Sequence, residues 1–231
     1  MLASLLLFAG CFETNAVFSV SPTRQVRFAK GNLEYDSING YSFAANQYDY
    51  GGSFVWGTGS DPTGTPAYYN EEEGSINLDY RRYQFDDWGK YIDGGWRTLS
   101  IDEWDYLIWG RANADSKRGT ATVCGVPGLV LLPDSCLGEN GFHAGFDEGW
   151  NTNVYDTSSW LVMEATGAVF LPVNNSYEGY HSGCYWSSSS ALDRVECVSF
   201  DDNGVDDQPD LLRGIARHPL HHLPVRLVQD I

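Results

Sequence analysis

The stretch Ser100-Ile101-Asp102-Glu103-Trp104-Asp105-Tyr106-Leu107-Ile108-Trp109-Gly110 carries the clearest secondary-structure signal of the chain. Ser100 and Glu103 have the spacing of a capping box, in which each side chain accepts a hydrogen bond from the other residue's backbone N–H. Trp104, Leu107 and Ile108 recur at helical spacing and predict one apolar face. Gly110 is a residue type that commonly ends a helix. The stretch therefore predicts a short helix that begins after Ser100 and ends near Gly110.

Outside this helix the sequence predicts short strands joined by long loops. Alternating apolar and polar residues from Phe18 to Tyr35 predict a β-hairpin with Lys30-Gly31-Asn32 as its turn. From Gly51 to Glu73 no periodicity is present, which is typical of a long loop. Further strands are predicted at Thr120–Val126 and Leu129–Leu132, around Val126-Pro127-Gly128, and at Ala168–Leu171, Val195–Phe200 and Val225–Val228. Few helices and many short strands indicate an α+β fold.

Length and composition favour one globular domain, and the charge is strongly acidic. Of the 231 residues, 42% are hydrophobic and 14% aromatic, and no linker divides the chain. The 14 Lys and Arg residues stand against 31 Asp and Glu residues, which gives a formal net charge of −17. Such a surface repels phosphate backbones and anionic lipid head groups. Nucleic acid is therefore not an expected partner.

The N-terminus has the pattern of a bacterial export signal. Leu2 to Gly10 form an apolar run that is too short to span a bilayer but matches the core of a signal peptide. Leu7-Phe8-Ala9-Gly10-Cys11 resembles a lipobox, in which the cysteine is lipidated and the preceding residues are removed. We therefore expect residues 1–10 to be a signal peptide and Cys11 to be the lipidation site. The mature chain would be an outer-membrane lipoprotein, at the cell surface or facing the periplasm.

Four cysteines remain beyond Cys11, namely Cys124, Cys136, Cys184 and Cys197. Outside the cytosol they allow two disulfides, but three pairings fit and free thiols are equally tenable. None of the spacings is CxxC, so zinc or thioredoxin-type redox chemistry is not indicated.

Several phrases, in order, resemble a family of bacterial extracytoplasmic domains with a C-type-lectin-type fold. They are Asp87-Trp88-Gly89, Trp96-Arg97-Thr98-Leu99, Asp102-Glu103-Trp104, Ala121-Thr122-Val123, Gly128-Leu129-Val130-Leu131-Leu132-Pro133-Asp134, Gly167-Ala168-Val169-Phe170-Leu171-Pro172, Tyr185-Trp186-Ser187-Ser188-Ser189 and Val225-Arg226-Leu227-Val228. The family is common in lipoproteins of gut bacteria and is distantly related to formylglycine-generating enzymes. The resemblance implies one C-type-lectin-type domain over 18–231.

The chain is also similar to variable proteins diversified by retroelements, in which adenine-containing codons are rewritten. In those proteins a segment near the C-terminus varies at solvent-facing positions on a rigid frame. The corresponding segment here is about 174–222, between the GAVFLP and PVRLV phrases. It holds four of the five His residues together with Cys184 and Cys197, where ordinary polar surface residues are expected. Randomised asparagine codons yield His and Cys, so this composition fits diversification.

The resemblance implies a ligand-binding face in this segment. Its expected contact residues are Tyr177, His181, Asp193, Arg194, Glu196, Asp201, Asp202, Asp206, Asp207, Arg213, His218, Leu220, His221 and His222. The implied partner is a protein or glycan on another cell or phage. Binding would rest on complementarity of shape and charge, with no cofactor, metal or catalytic residue, and the membrane would be met only through the lipid anchor.

Other motifs of the chain resemble ligand or metal sites but have simpler interpretations. Gln208-Pro209-Asp210 matches the sugar-binding tripeptide of calcium-dependent lectins but lacks the Trp-Asn-Asp phrase that completes their calcium shell. The acidic residues of 201–210 could bind calcium, but they lack the spacing of a helical calcium loop, so a solvated loop is the simpler interpretation. A transition metal could be held by His218, His221 and His222, but the flanking prolines disfavour the helix that would place them as ligands. The aromatic phrases around Trp96, Trp104 and Trp186 are expected to be core rather than ligand platforms.

No enzyme motif is present. The sequence lacks GxSxG, HExxH and the glycine-rich phosphate loops, and nothing nominates Glu103 and Asp105 as a glycosidase pair. Formylglycine-generating enzymes bind copper through closely spaced cysteines, and Cys184 and Cys197 are too far apart in sequence to match. The alternatives that remain are a fixed-specificity adhesion or fimbria-like structural lipoprotein and, less favoured, a formylglycine-generating-type enzyme.

Overall fold

The computed structural model describes residues 16–63, 69–70, 75–76, 85–136, 141–146, 149–177, 180–191, 194–201, 215–217 and 220–231. Within these ranges only the backbone is described at 69–70, 75–76, 175–177, 180–181, 191, 194 and 215–217. The described part contains several small sheets, mostly antiparallel, and two short α-helices. This agrees with the predicted α+β class and equally with a mostly-β class.

The two ends of the described chain meet in one four-stranded sheet. Its order is β1 (Phe18–Ser19), β2 (Gln25–Phe28), β16 (Val228–Asp230) and β7 (Trp96–Arg97). The C-terminal strand therefore lies between two strands from the first half of the chain, antiparallel to both. A second sheet has the order β10 (Val154–Tyr155), β8 (Arg118–Val123), β9 (Val126–Leu131) and β11 (Val169–Pro172).

A third sheet contains most of the segment 174–222. Its strands, in order, are β12 (Asn175–Tyr177), β13 (Tyr180–Ala191), β14 (Arg194–Asp201) and β15 (Ile215–Arg217), all antiparallel. Two small ribbons complete the strands, β3 (Leu33–Asp36) with β4 (Gly40–Phe43), and β5 (Tyr69–Asn70) with β6 (Ser75–Ile76).

The predicted helix is confirmed in its cap, its face and its end. Helix α1 (Ile101–Asp105) begins after Ser100 and continues as a π-helical turn to Gly110. The backbone N–H of Glu103 donates to Ser100 Oγ at 3.2 Å, and that of Ser100 donates to Glu103 Oε2 at 2.9 Å. Trp104, Leu107 and Ile108 are fully buried. The local signal therefore predicted both the start of the helix and the face that it packs against the core.

Helix α2 (Thr157–Ala165) was not predicted. Asp156 caps it by accepting from the backbone of Ser159 at 2.8 Å, which is a recognisable start signal. Only Trp160 of its residues is buried, while Leu161 and Val162 are exposed. Because the apolar residues do not form a buried stripe, helical periodicity could not identify this helix.

The predicted hairpin between 18 and 35 is wrong in its pairing. β2 pairs with β1 and β16, whereas β3 turns back onto β4. The C-terminal residues take the place next to both strands: Ala29 N–H donates to the Leu227 carbonyl and Leu33 N–H to the Val225 carbonyl, each at 2.9 Å. Val225 and Leu227 are fully buried, so distant apolar residues displace the local partner. The regular strand there is Val228–Asp230 rather than Val225–Val228.

The turn between the two strands predicted at Thr120–Val126 and Leu129–Leu132 lies at Cys124-Gly125, not around Val126-Pro127-Gly128. Both turn residues have positive φ, 50° and 84°, as a tight two-residue hairpin turn requires. Gly128 lies inside β9, where an added Cβ would overlap the Leu171 carbonyl and the ring of Phe170. Close approach of β11, rather than a turn, therefore explains this glycine.

Candidate ligand-binding site

The β13–β14 hairpin forms the centre of the candidate segment and is buried on both faces along its middle. Tyr185, Val198 and Phe200 belong to the core cluster that includes Trp104 of α1. On the opposite side Cys184, Trp186, Val195 and Cys197 belong to a cluster with Trp56 and Trp88. The hairpin therefore separates two parts of the core, and its middle is buried rather than available as a ligand surface.

The structure corrects the interpretation of two cysteines. Cys184 and Cys197 are 5% and 0% exposed and form a disulfide across the hairpin, with Cα atoms 6.2 Å apart. They are not variable surface residues. Cys124 has a free thiol, so the short-loop pairing of Cys124 with Cys136 does not form.

Hydrogen bonds from the indole N–H groups of Trp186 and Trp56 to backbone carbonyls fix the position of this hairpin. Trp186 Nε1 donates to the Phe54 carbonyl at 2.7 Å, and Trp56 Nε1 donates to the Ser187 carbonyl at 2.9 Å. Trp104 and Trp186 are fully buried, and the partly buried Trp96 packs on the second cluster, so all three contribute to the core as predicted.

The first group of candidate residues lies at the open end of the hairpin, where β12 joins β13. Tyr177 pairs with Tyr180, and His181 pairs with Ser176. Asp201, at the end of β14, is opposite Ser182 and is half-buried. The register therefore brings Tyr177, His181 and Asp201 to one end of the third sheet.

The second group comprises Arg194, at the hairpin tip, and the segment Leu220 to His222, which precedes the contact of Pro224 with the middle of β13. Arg194 is opposite Ala191, and Arg217 of β15 pairs with Val195. The chain then returns through Leu220, His221 and His222 to Pro224, whose carbonyl accepts from Trp186 N–H at 3.1 Å. His221 and His222 are exposed, whereas Leu220 is half-buried against the second cluster.

The two groups do not form one compact patch. β13 has 12 residues, so its ends are roughly 35 Å apart at the rise of an extended strand. Glu196 lies between the ends, on the same face of β14 as Val198 and Phe200, and is half-buried. Burial raises the pKa of its carboxyl, and the nearby carboxylate of Asp102 raises it further. Of the candidates with described side chains, His221 and His222 are therefore the most accessible.

The remaining predicted contacts lie outside the described residues. They are Asp193, Asp202, Asp206, Asp207, Arg213 and His218, together with Cys11 of the lipobox and the tripeptide Gln208-Pro209-Asp210.

A buried polar network, not foreseen from the sequence, joins this segment to the rest of the fold. Arg226 is 1% exposed and donates to Gln47 Oε1 at 2.7 Å and to Asn32 Oδ1 at 3.2 Å. Asn32 Nδ2 in turn donates to Tyr185 Oη, and Gln47 Nε2 donates to Glu164 Oε1. Burial lowers the pKa of Arg226 to about 10, so the guanidinium is still charged at neutral pH. The network links β13, α2 and both ends of the described chain.

The geometry of the described carboxylates and imidazoles gives no metal-ligand group, and the carboxylate of Glu103 is engaged in ion pairs. No group of three or more His, Cys, Asp or Glu side chains suited to a metal is found among the described residues. Both Glu103 oxygens are engaged by Arg97, at 2.7 and 2.8 Å, and Arg24 adds a contact to Oε1 at 3.0 Å. Glu103 therefore stabilises the helix start and its surroundings. Among the described helices, none is both long and apolar enough to cross a membrane.

Comparison with known proteins returns no match: no family model, curated protein or solved structure is similar enough to the chain to assign it to a family.

Proposed function

We propose that the chain is an exported, lipid-anchored ligand-binding protein with a C-type-lectin-type domain, whose segment 174–222 varies through a retroelement and sets the specificity. The partner is a protein or glycan on another cell or phage. Binding rests on the shape and charge of a preorganised surface, and no chemical step is involved.

One observation carries this proposal: the middle of the β13–β14 hairpin is buried on both faces, while the described candidate residues other than Glu196 lie towards its two ends or in the returning segment 220–222. Tyr185 and Trp186 are fully buried on opposite sides of β13, and the disulfide ties β13 to β14. His221 and His222 are exposed where the chain returns to the core. Substitutions at such positions change the ligand surface at little cost to the fold.

The arrangement of the chain ends supports the C-type-lectin-type assignment. β16 lies between β2 and β7, so the intervening chain forms one large loop that starts and finishes in the same sheet. The buried Arg226 and Asn32 strengthen this closure through their hydrogen bond at 3.2 Å. A closed base of this kind leaves the opposite parts of the molecule free to present a ligand surface.

Sequencing the gene across many cells of one population tests the diversification. We expect changes only at adenines between about Asn174 and His222, with the codons of Tyr185, Trp186 and Phe200 unchanged. The codons of β8 and β9 are the internal control. A uniform segment would refute retroelement diversification and would favour a fixed adhesion or fimbria-like structural role.

Mass spectrometry of the purified native protein tests the anchor. We expect the mature chain to begin at Cys11 with a lipid on its sulfur and α-amino group, and Cys11→Ser to release the protein from the membrane fraction. A chain that retains residues 1–10, or a Cys11 recovered in a disulfide, would refute the lipid anchor.

A further inference from the structure

Three tyrosine rings form a row on the surface where the β3–β4 ribbon meets the segment after Asp86. Tyr35 and Tyr41 are directly opposite each other in the ribbon, with ring centroids 5.0 Å apart. The Tyr91 ring lies 6.2 Å from that of Tyr41. Tyr35 is 37% exposed and Tyr91 47% exposed, while Tyr41 between them is half-buried. This tyrosine row is therefore open to solvent at both ends.

The tyrosine row is held in place from beneath. The Tyr41 ring lies 6.1 Å from the buried Phe54 ring, and Phe54 lies 5.9 Å from Trp88. Tyr41 Oη donates to the Gly59 carbonyl at 2.7 Å, and Tyr91 Oη donates to Asp86 Oδ2 at 2.9 Å. Because the rings are already ordered, a ligand would lose little affinity to arranging them.

The carboxylates of Asp86 and Asp61 lie close to the tyrosine row. Burial acts to raise the pKa of Asp86, but hydrogen bonds from Ser60, Tyr91 and Lys90 outweigh it and lower the pKa below its ordinary value. Burial also raises the pKa of Tyr41, and the charges of Asp86 and Asp61 are close enough to raise it further. Among the described residues, Lys90 is a cation beside Asp86, 3.2 Å away and largely exposed. Such a surface ion pair contributes little, so an incoming cation can replace it.

We propose that the tyrosine row binds a basic, extended segment of a partner protein, with an arginine or lysine side chain against the ring of Tyr91 and its charge paired with Asp86. Aromatic ring faces attract cations, and aromatic-lined surfaces also accept extended proline-containing segments. The formal charge of −17 draws such segments towards the chain.

The hydrogen bonds favour a cation over a sugar. The hydroxyls of Tyr41 and Tyr91 donate to protein acceptors, so around these two rings a ligand meets ring faces and the carboxylate oxygens of Asp86. A sugar hydroxyl both donates and accepts hydrogen bonds, so a sugar site needs protein donors as well as protein acceptors. The tyrosine row also uses none of the candidate residues of 174–222, so this inference does not rest on the proposed function.

Fluorescence polarisation with the full chain tests the inference. The probe is a labelled peptide of about eight alternating arginine and proline residues; a glutamate–proline peptide and an unbranched glucose oligosaccharide serve as comparisons. Tyr91→Ala and Asp86→Asn should each raise the Kd for the arginine peptide by about three- to thirtyfold. Lys90→Ala should lower it, because the competing cation is gone.

Tyr50→Ala is the matched control, since Tyr50 is 54% exposed and none of the ring contacts described for the chain includes it. Circular dichroism verifies that each variant folds. Equal affinity of Tyr91→Ala and Tyr50→Ala would show that the peptide senses only net charge and would overturn the inference. Absence of peptide binding, or oligosaccharide binding that Tyr91→Ala abolishes, would overturn it too.

Discussion

Gly183 and Phe200 provide a direct test of the β13–β14 register. They are opposite each other in the hairpin, and a Cβ added at Gly183 would overlap the Phe200 ring. Phe200 is 1% exposed and contacts the rings of Tyr185 and Trp150, with centroids 6.2 and 6.5 Å away. Gly183→Ala should therefore lower the free energy of unfolding by about 1–3 kcal/mol through overpacking. Phe200→Ala should lower it by about 3–5 kcal/mol through lost burial and the cavity.

The double variant separates this contact from general damage. Once Phe200→Ala removes the ring, the methyl group at position 183 has nothing to overlap, so the added cost of Gly183→Ala should fall to within about 0.5 kcal/mol of zero. Urea unfolding followed by tryptophan fluorescence measures all four proteins, since the chain has eight Trp residues. If Gly183→Ala costs the same with and without the Phe200 ring, the register and the frame built on it are wrong.

Two further predictions concern the helix start and the C-terminal strand. Ser100→Ala removes the acceptor for Glu103 N–H and should lower the free energy of unfolding by about 1 kcal/mol, which lowers Tm by about 2–4 °C. The control is Ser190→Ala, at an exposed residue outside the cap, which should leave Tm unchanged. Hydrogen bonds from Arg97 lower the pKa of Asp230 below its ordinary value of 3.8. This carboxylate therefore stabilises the fold above that value, and the contribution is lost as pH falls through the lower, folded-state pKa. Thermal melts from pH 6 to pH 2 should therefore show a smaller acid loss for Asp230→Asn than for the unchanged chain; parallel curves would contradict this reasoning.

Local signals in the sequence were sufficient for the elements that depend on neighbours along the chain. The capping box at Ser100 and Glu103, the apolar face of α1 and the strand near Val195–Phe200 all rest on residues a few positions apart. Their hydrogen bonds and periodicity are therefore visible without knowledge of the fold.

The candidate site was predictable only in part. The sequence indicated which segment carries the unusual residues, and His221 and His222 are indeed exposed. It did not indicate that Cys184 and Cys197 are buried together, because burial of a strand on both faces removes the alternation that would mark its inner side. The separation of the candidates between two ends of the hairpin follows from register, which no local pattern specifies.

The sequence by itself determined the helix start, the approximate strands and the acidic, aromatic-rich character of the chain. Tertiary structure alone decided that β16 joins β2, that Arg226 contacts Asn32 and Gln47, and that Tyr35, Tyr41 and Tyr91 form one row. These contacts join residues far apart in the chain. Their free energy comes from burial and hydrogen bonding that exist only after the whole core has formed, so they leave no mark in any short stretch of sequence.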